Sequence, residues 1–450
     1  MTKDLTEGSP FRLIIGFALP LLFGMLFQQF YSLVDTMIVG KLLGANALAA
    51  VGSTGSINFL ILGFCNGLCS GFAMPVARTF GAKDYGKMRK IVANSAWLSA
   101  IFGVLMTSVT TLFCRKILEL MGTPSDILEG AYQYIVIIFA GIPVTFLYNM
   151  LSGIIRSVGD SRTPVIFLAL ASIINIILDI LFIGVMHTGV RGAAIATVIS
   201  QAVSGVACLI YMSQKFEILH ITKAEWKWER KLIKLLCIDG IPMGLQYSIT
   251  AIGSVILQTA VNSLGTVAVA SMTAAIKLSM LFCTPFDALG STMATYGGQN
   301  IGAGKVERVG KGLKSACIIS FIYSVIAFVI LALGASKLLL LFVNTNETEI
   351  IKNATLFILI NSGAYILLAL VNVVRFMIQG IGFGQFAMYA GLLEMIARTL
   401  AGLFLVPIFG FVGACIASPL AWLFADCFLI PAYRRCIKIC ENTQNKQLQV

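Results

Sequence analysis

The sequence predicts an all-α polytopic membrane protein, with twelve transmembrane helices arranged as two parallel six-helix repeats. Three observations predict this fold class: the composition, the number of long apolar stretches, and a repeat between the two halves. Hydrophobic residues make up 58% of the 450 residues, charged residues make up 12%, and the mean hydropathy is +0.91. These values lie far outside the range of soluble globular domains.

Apolar stretches of about 20 residues or more are long enough to cross a hydrocarbon core of roughly 30 Å as helices. Twelve such stretches are present, and each is predicted to form one transmembrane helix. They run approximately over residues 13–39, 46–76, 91–113, 131–155, 164–185, 192–212, 232–260, 267–297, 313–333, 353–376, 386–407 and 412–433.

The two halves of the chain repeat each other at an offset of 221 residues. The recurring pairs include Gly44 with Gly265, Gly81 with Gly302, Gly159 with Gly380, and Gly189 with Gly410. The register is expected to hold without a gap from about residue 44 to the end of each half. Because each half has an even number of helices, both halves begin on the same side of the membrane and the repeats are parallel. Such duplication is typical of secondary transporters, whose substrate site lies between the halves.

The repeat also predicts the domain organisation. An N-terminal six-helix lobe is expected at residues 1–212, a cytoplasmic linker at 213–231 and a C-terminal six-helix lobe at 232–450. The linker carries mixed charges together with Trp226 and Trp228, a composition that is typical of a segment at the membrane–water interface.

The formal net charge of +12 has two interpretations, nucleic-acid binding or membrane topology. When the Lys and Arg residues are sorted by connection, most of the 32 fall on one side of the membrane. The other side holds only Lys41, Arg115, Lys116, Arg191, Lys337 and Lys352. This is the positive-inside bias, which predicts a multi-pass protein of the plasma (cytoplasmic) membrane with both termini in the cytoplasm. No excess of charge is left for nucleic acid to explain.

The sequence does not indicate an enzyme. Its 11 cysteines lack metal-ligand spacing, and its two histidines, His187 and His220, lie in connections and complete no metal or nucleophile constellation. It contains no GxxxxGK[ST] phosphate-binding motif, so no ATP-binding subunit is implied. We therefore expect no cofactor and no metal, and we expect the lipid bilayer and a small-molecule substrate as partners.

Charged residues inside apolar spans are costly, so each is a functional candidate. In the predicted topology, Asp35 and Asp179 lie at similar depth in the outer part of the N-terminal lobe. Asn175 shares a helix face with Asp179, and Thr197 and Tyr134 lie at a comparable level. Two carboxylates close together in a low dielectric cannot both remain ionised cheaply, which suits a proton-coupling site. The same oxygens also suit Na⁺.

Helix 1 contains a predicted hinge. Pro20 removes a backbone hydrogen bond inside this helix, and Gly24 follows one turn later. A bend there would couple protonation of Asp35 to a movement of the helix that carries it. The alternative is a static kink, which is common for proline in membrane helices.

Polar, aromatic and methionine residues are candidates for an adaptable substrate cavity. They are Met25, Gln28, Gln29, Tyr31, Met150, Gln246, Tyr247, Lys277, Met280 and Phe282. Lys277 has no obvious local partner, so it is either paired across helices or faces a water-filled cavity, where it would disfavour cations or attract anions. Glu394 and Arg398 form an i,i+4 pair that is expected to neutralise itself.

Several motifs resemble those of the multidrug and toxic compound extrusion (MATE) transporters. They are Val34-Asp35-Thr36-Met37-Ile38-Val39-Gly40, Asn175-x-x-x-Asp179, and Gly189-x-x-Gly192-Ala193-Ala194-x-Ala196-Thr197. The resemblance implies a V-shaped pair of six-helix lobes. In the DinF-like, proton-coupled branch, an aspartate on helix 1 and an aspartate with its i−4 asparagine on helix 5 form the coupling site, which implies Asp35, Asp179 and Asn175 here. The Na⁺-coupled branch typically has an acidic residue on helix 7, and the corresponding stretch here, residues 242–250, contains no carboxylate.

The expected function is secondary active efflux of amphipathic or cationic small molecules, in exchange for H⁺ or alternatively Na⁺, by alternating access. Two alternatives stay open. A lipid-linked precursor flippase of a related superfamily would have a strongly cationic cavity, to which Lys277 would contribute. A major-facilitator-type transporter shares the parallel six-plus-six design.

Overall fold

The computed structural model describes residues 4–448, and of residues 45 and 446–448 only the backbone. It is 88% helical, and the described residues form no strand. The α-helices are, in chain order, α1 (Pro10–Leu43), α2 (Ala45–Ser53), α3 (Gly55–Gly81), α4 (Tyr85–Leu120), α5 (Ser125–Ala140), α6 (Ile142–Ser157), α7 (Thr163–Asp179), α8 (Val190–Lys215), α9 (Arg230–Asn262), α10 (Thr266–Gly302), α11 (Val306–Leu339), α12 (Thr348–Gly363), α13 (Tyr365–Gly380), α14 (Gly384–Leu400), α15 (Val406–Phe409) and α16 (Phe411–Leu448).

The helices account for up to twelve membrane spans. Within the described residues, 10 helical segments are long and apolar enough to cross a membrane, and two bent helix pairs add one span each. The bend is 47° between α5 and α6 and 51° between α12 and α13. At the first bend, a Cβ on Gly141 would lie 2.5 Å from the Val198 side chain, so the missing side chain lets α8 approach. The predicted all-α polytopic fold class is confirmed.

The second half of the chain copies the helices of the first, but not at one constant offset. Helices α11 and α14 begin 221 residues after α4 and α7, whereas α12 and α13 begin 223 residues after α5 and α6. The expected ungapped register is therefore wrong over these two helices. Gly159 and Gly382, with φ of 95° and 103°, occupy equivalent turns, and Gly380 does not. The connection that precedes α12 is longer than its counterpart, and the one that follows α13 is shorter.

Packing divides the chain into two compact units. The first contains residue 4 and residues 19–244, and the second contains residues 5–18 and 245–448. The division runs through α1 just before Pro20 and through α9 just after Pro242, so each of these helices begins in one unit and ends in the other. The lobes proposed from the repeat, 1–212 and 232–450 with the linker 213–231, stay a prediction, and their residues 1–3 and 449–450 lie outside the described chain.

In the first unit, α3 and the start of α9 cross with their backbones in direct contact. A Cβ on Gly67 would lie 2.5 Å from the Met243 carbonyl oxygen. A Cβ on Gly71 would lie 2.7 Å from the carbonyl oxygen of Asp239. Two turns after Gly71, Arg78 of α3 forms an ion pair with the buried carboxylate of Asp239. Small residues spaced four apart allow this close approach in membranes, where apolar surface alone does not select partners.

The connection between α8 and α9 is fastened along the first turns of α4. Arg89 Nε contacts Glu225 Oε1 at 2.7 Å, and Lys90 Nζ contacts Glu229 Oε1 at 2.8 Å. The Asn94 side chain accepts from the Glu229 backbone N–H at 3.0 Å. A hydrogen bond from the Thr222 backbone N–H, together with Arg89, lowers the pKa of Glu225. The connection between α8 and α9 is therefore held against α4 by specific polar contacts.

Gly71→Ala is expected to destabilise the protein, because the added methyl group meets the backbone of α9 and overpacking costs about 1–3 kcal/mol. The matched control is Gly310→Ala in α11, where a Cβ would meet nothing within 4 Å. Since alanine is the better helix former by about 1 kcal/mol, the control should be neutral or slightly stabilising. Thermal unfolding of the purified proteins in one detergent compares them, and equal midpoints would contradict the close crossing.

Candidate functional site

The five residues predicted to form a coupling site lie together inside the first unit. Helix α1 contributes Asp35, α5 contributes Tyr134, α7 contributes Asn175 and Asp179, and α8 contributes Thr197. The carboxyl groups of Asp35 and Asp179 are within hydrogen-bonding reach of each other. Asn175 and Asp179 are fully buried. The arrangement is therefore a paired carboxyl group held within a helix bundle.

The Asn175 amide connects this pair to α8. In the orientation that satisfies both of its ends, Nδ2 donates to Asp179 Oδ2 at 3.0 Å and Oδ1 accepts from the Thr197 backbone N–H at 3.1 Å. The Thr197 hydroxyl donates to the Ala193 carbonyl oxygen at 3.0 Å. Tyr134 lies within electrostatic range of both carboxyl groups. These contacts fix the position of Asp179 from three sides.

A π-helical turn, Ile180–Val185, follows directly after Asp179. Such turns widen a helix locally and are frequent at functional sites. The second half of the chain has a matching π-helical turn, Ala401–Leu405, after Leu400. The backbone irregularity is therefore part of the copied scaffold, whereas the carboxyl group before it is present in the first half only.

Two oxygens of the paired carboxyl group lack partners. Asp35 Oδ1 and Asp179 Oδ1 are buried and form no hydrogen bond within the described chain. No Lys or Arg side chain of the described residues forms an ion pair with either aspartate. Buried acceptors without partners are costly, so the pair is suited to take up a proton or a small cation.

Tyr31 also belongs to this cluster. The sequence analysis placed it in the substrate cavity, but its hydroxyl hydrogen-bonds with the Thr197 side chain and lies within electrostatic range of Asp35. Tyr31 precedes Asp35 by one helical turn on α1, so the i,i+4 spacing was the signal that pointed to this position. A phenolic oxygen next to the carboxyl pair adds a further donor or ligand.

A cavity of about 140 Å³ lies within the first unit, next to the predicted hinge. Two of the predicted substrate-cavity residues, Met25 and Gln28, line it together with Gly24. Its other polar lining comes from α3 and α6 and was missed by sequence reasoning: Asn66, Tyr148, Asn149, Ser152 and Arg156. Asn149 Nδ2 donates to Asn66 Oδ1 at 2.7 Å. Arg156 lies in the last turn of α6.

The remaining predicted cavity residues lie elsewhere. Met150 lines a separate apolar groove of about 540 Å³ between α4, α6 and α8. Gln246 is buried and accepts from Gln379 Nε2 at 2.6 Å. Half-buried positions are occupied by Gln29, Tyr247 and Phe282. Lys277 and Met280 are exposed on α10, and in the described structure Lys277 has no hydrogen bond or ion pair.

The second unit contains a polar cluster of different composition. Glu394 accepts from two arginines: Arg375 of α13 forms the closer contact, and Arg398 Nη2 lies 3.4 Å from Glu394 Oε2. The prediction that Glu394 and Arg398 neutralise each other is therefore incomplete, because one carboxylate serves two guanidinium groups. Nearby, Asn372 Nδ2 donates to Asp287 Oδ1 at 3.2 Å.

The Asp287–Asn372 bond is the counterpart of the Asn66–Asn149 bond in the first unit. Both bonds join the second span of a repeat to its bent fourth span, α3 to α6 and α10 to α13. The two units thus share a polar helix-to-helix contact, and the residue types on it differ in charge.

The many apolar spans and the paired carboxyl groups among the helices define a multi-pass membrane protein with an acidic pair in its first unit. A family model described as MatE matches residues 20–181 and 242–426. The chain is 31% identical over 313 residues to the probable multidrug resistance protein YpnP of Bacillus subtilis, which covers 68% of each chain. It is 27% identical over 365 residues to the probable multidrug resistance protein YoeA of the same organism, covering 80% of this chain and 79% of YoeA.

Solved structures agree with these sequence relatives. A crystal structure of MATE in complex with MaL6 aligns with a TM-score of 0.91 at 25% identity, covering 98% of this chain and 100% of that one. The chain belongs to the MatE family. It is therefore a membrane transporter of small molecules and not an enzyme, and no ATP-binding subunit is indicated.

Glu394→Gln is expected to destabilise the protein strongly, because it leaves two buried guanidinium groups without their shared carboxylate. Removing one partner from a buried ion pair typically costs about 3–5 kcal/mol. The matched control is Glu307→Gln, whose exposed pair with Lys311 contributes about 0–1 kcal/mol. Fluorescence-detected size exclusion after heating measures both variants, and an equally stable Glu394→Gln protein would contradict the shared-carboxylate arrangement.

Proposed function

We propose that this chain is a multidrug efflux antiporter that exports amphipathic or cationic small molecules in exchange for H⁺. The observation that carries the proposal is the Asp35–Asp179 pair, which has two buried oxygens without partners and forms no ion pair with a Lys or Arg of the described residues. Family membership supports transport of small molecules, and the names of YpnP and YoeA support drugs as their class.

Proton coupling is favoured over Na⁺ coupling by the direct contact of the two carboxyl groups, because a single shared proton satisfies both acceptors. The same contact supports assignment to the DinF-like branch. In the stretch of α9 that corresponds to the acidic position of the Na⁺-coupled branch, residues 242–250, there is no carboxylate. Its buried polar residue, Gln246, is already bonded to Gln379. Na⁺ remains the alternative ion, held by the same carboxyl groups with Thr197 and Tyr31.

Alternating access in this scheme begins at α1. A proton from the outer side neutralises the Asp35–Asp179 pair, and the part of α1 that carries Asp35 bends at Pro20 relative to the part before it. The unit division just before Pro20 supports this position for the hinge. Gly24 packs closely on Val165 of α7, because a Cβ added to Gly24 would lie 2.6 Å from the Val165 side chain. A bend of α1 at this point therefore changes its contact with α7 directly. Displacement of substrate from the adjacent cavity follows.

The cellular setting follows from the distribution of basic residues. We place the protein in the plasma membrane with both termini in the cytoplasm, because most Lys and Arg residues fall in connections on that side. The paired carboxyl group then lies in the outer half of the bilayer, where the transmembrane proton gradient can load it.

Asp35→Asn and Asp179→Asn are each expected to reduce pH-gradient-driven dye efflux from proteoliposomes to below about a tenth of wild type, because an amide cannot take up the coupling proton. The matched control, Glu119→Gln, removes an exposed carboxylate and should leave efflux unchanged. Imposing a Na⁺ gradient in place of the pH gradient separates the two ions. Undiminished efflux in both aspartate variants would refute the assignment of the pair.

Lys277 tests the substrate class. If this exposed, unpartnered cation faces the substrate path, Lys277→Gln should raise efflux of a cationic dye severalfold relative to an anionic one, since the repulsion of a unit charge is removed. Lys116→Gln, an exposed lysine at the end of α4, is the control. An unchanged ratio of the two dyes would place Lys277 outside the substrate path and weaken the flippase alternative.

A further inference from the structure

The polar cluster of the second unit contains five ionisable side chains: Asp287, Arg375, Glu394, Arg398 and Asp426. Arg375 lies at the centre of the cluster, because the other four all reach it by an ion pair or an electrostatic interaction. If every member is ionised, three carboxylates oppose two guanidinium groups. One proton therefore makes the cluster neutral, and the question is which carboxyl group holds it.

Two of the three carboxyl groups are already engaged. Glu394 accepts from both arginines, and protonating it would take from two buried guanidinium groups the only carboxylate of the cluster that contacts them directly. Asp287 accepts from Asn372 Nδ2 at 3.2 Å. Each of these two carboxyl groups therefore already has a hydrogen-bond donor.

Asp426 differs from both. It is only 4% exposed, and neither of its carboxylate oxygens has a hydrogen-bond partner in the described chain. It lies 15 residues into α16, about 22 Å from the start of this helix, and is therefore deep within a membrane span. An ionised carboxylate without hydrogen bonds in such a place carries the full cost of desolvation.

The elements packed against α16 offer Asp426 little compensation. Arg375 of α13 reaches it by charge alone, without a hydrogen bond, and is already bonded to Glu394. Cys317 of α11 is the other ionisable neighbour. On α12 the charged residues, Glu349 and Lys352, are exposed at its start. On α14 the charged pair is Glu394 with Arg398, and the π-helical turn after it and α15 contain no ionisable residue.

We propose that Asp426 is a proton-binding site of the second unit, which carries the proton that neutralises this cluster and titrates separately from Asp35 and Asp179. The ligand is H⁺ itself. The site does not depend on the direction of transport or on the substrate, and it gives the second unit its own response to pH.

Thermal unfolding as a function of pH tests the proposal on the full-length protein in detergent. A carboxyl group that is protonated when folded and ionised when unfolded makes folding take up a proton, so stability falls as pH rises above the ordinary carboxyl range. Wild type should lose melting temperature relative to Asp426→Asn between about pH 5 and pH 8. Glu119→Gln, which removes an exposed carboxylate outside this cluster, is the matched control and should keep the wild-type slope.

Infrared spectroscopy gives a second readout. The carbonyl band of a protonated carboxylic acid should be present at neutral pH in wild type and in Asp35→Asn, and a component should be absent from Asp426→Asn. If that variant does not fold, Cys317→Ser, which changes a neighbour of the same carboxyl group, should shift the component. The proposal would be overturned if the melting temperatures of wild type and Asp426→Asn changed with pH in parallel. It would also be overturned if neither Asp426→Asn nor Cys317→Ser changed the infrared component.

Discussion

The backbone crossing of α3 and α9 is the contact on which the arrangement of the first unit depends. In a bilayer, lipid tails are as apolar as leucine, so a hydrophobic surface does not choose its partner. Close approach does, and here Gly67 and Gly71 bring α3 against the backbone of α9, while Gly240 and Gly244 leave room for the rings of Phe72 and Phe64. The start of α9 is thereby fixed in the first unit, although the repeat would assign it to the second. Because of that contact, α9 begins in the first unit and ends in the second. Pro242 lies beside the unit boundary in α9, as Pro20 does in α1.

The copied scaffold holds two different sets of charges. Both halves have a bent fourth span, a π-helical turn and a polar contact between their second and fourth spans. In the first unit the carboxyl pair has only neutral donors around it, so its missing charge must come from outside the protein. In the second unit the arginines supply internal counter-charge, and the imbalance is a single carboxyl group. The first arrangement suits exchange of an ion with the solvent, and the second suits a cluster that holds its shape.

Sequence reasoning found the spans and brought together Asp35, Asp179, Asn175, Thr197 and Tyr134, because helix direction and depth follow from counting residues across a bilayer. It failed where depth alone does not decide. Tyr31 belongs to the cluster because of the direction in which its side chain leaves the α1 axis. The sequence does not show this direction, because the lipid-facing and protein-facing sides of a membrane helix are equally apolar. The second arginine on Glu394 was missed, because Arg375 comes from α13 and the i,i+4 spacing shows only Arg398. The register slip was hidden because the glycines on either side of it keep the 221-residue offset.

Buried carboxyl oxygens without hydrogen-bond partners lie where the two units differ, and this connects stability to function. Most buried polar groups in proteins are hydrogen-bonded, yet in the described chain Asp35 and Asp179 each leave one oxygen unpartnered and Asp426 leaves both. The first two are neighbours and share one deficit, so a proton or a cation that binds there changes the contact between α1 and α7. Asp426 has no second carboxyl group on another helix. A proton can therefore satisfy its unpartnered oxygens without moving a helix. A carboxyl pair that spans two helices can report its occupancy as a movement, whereas a single buried carboxyl group can only store a proton.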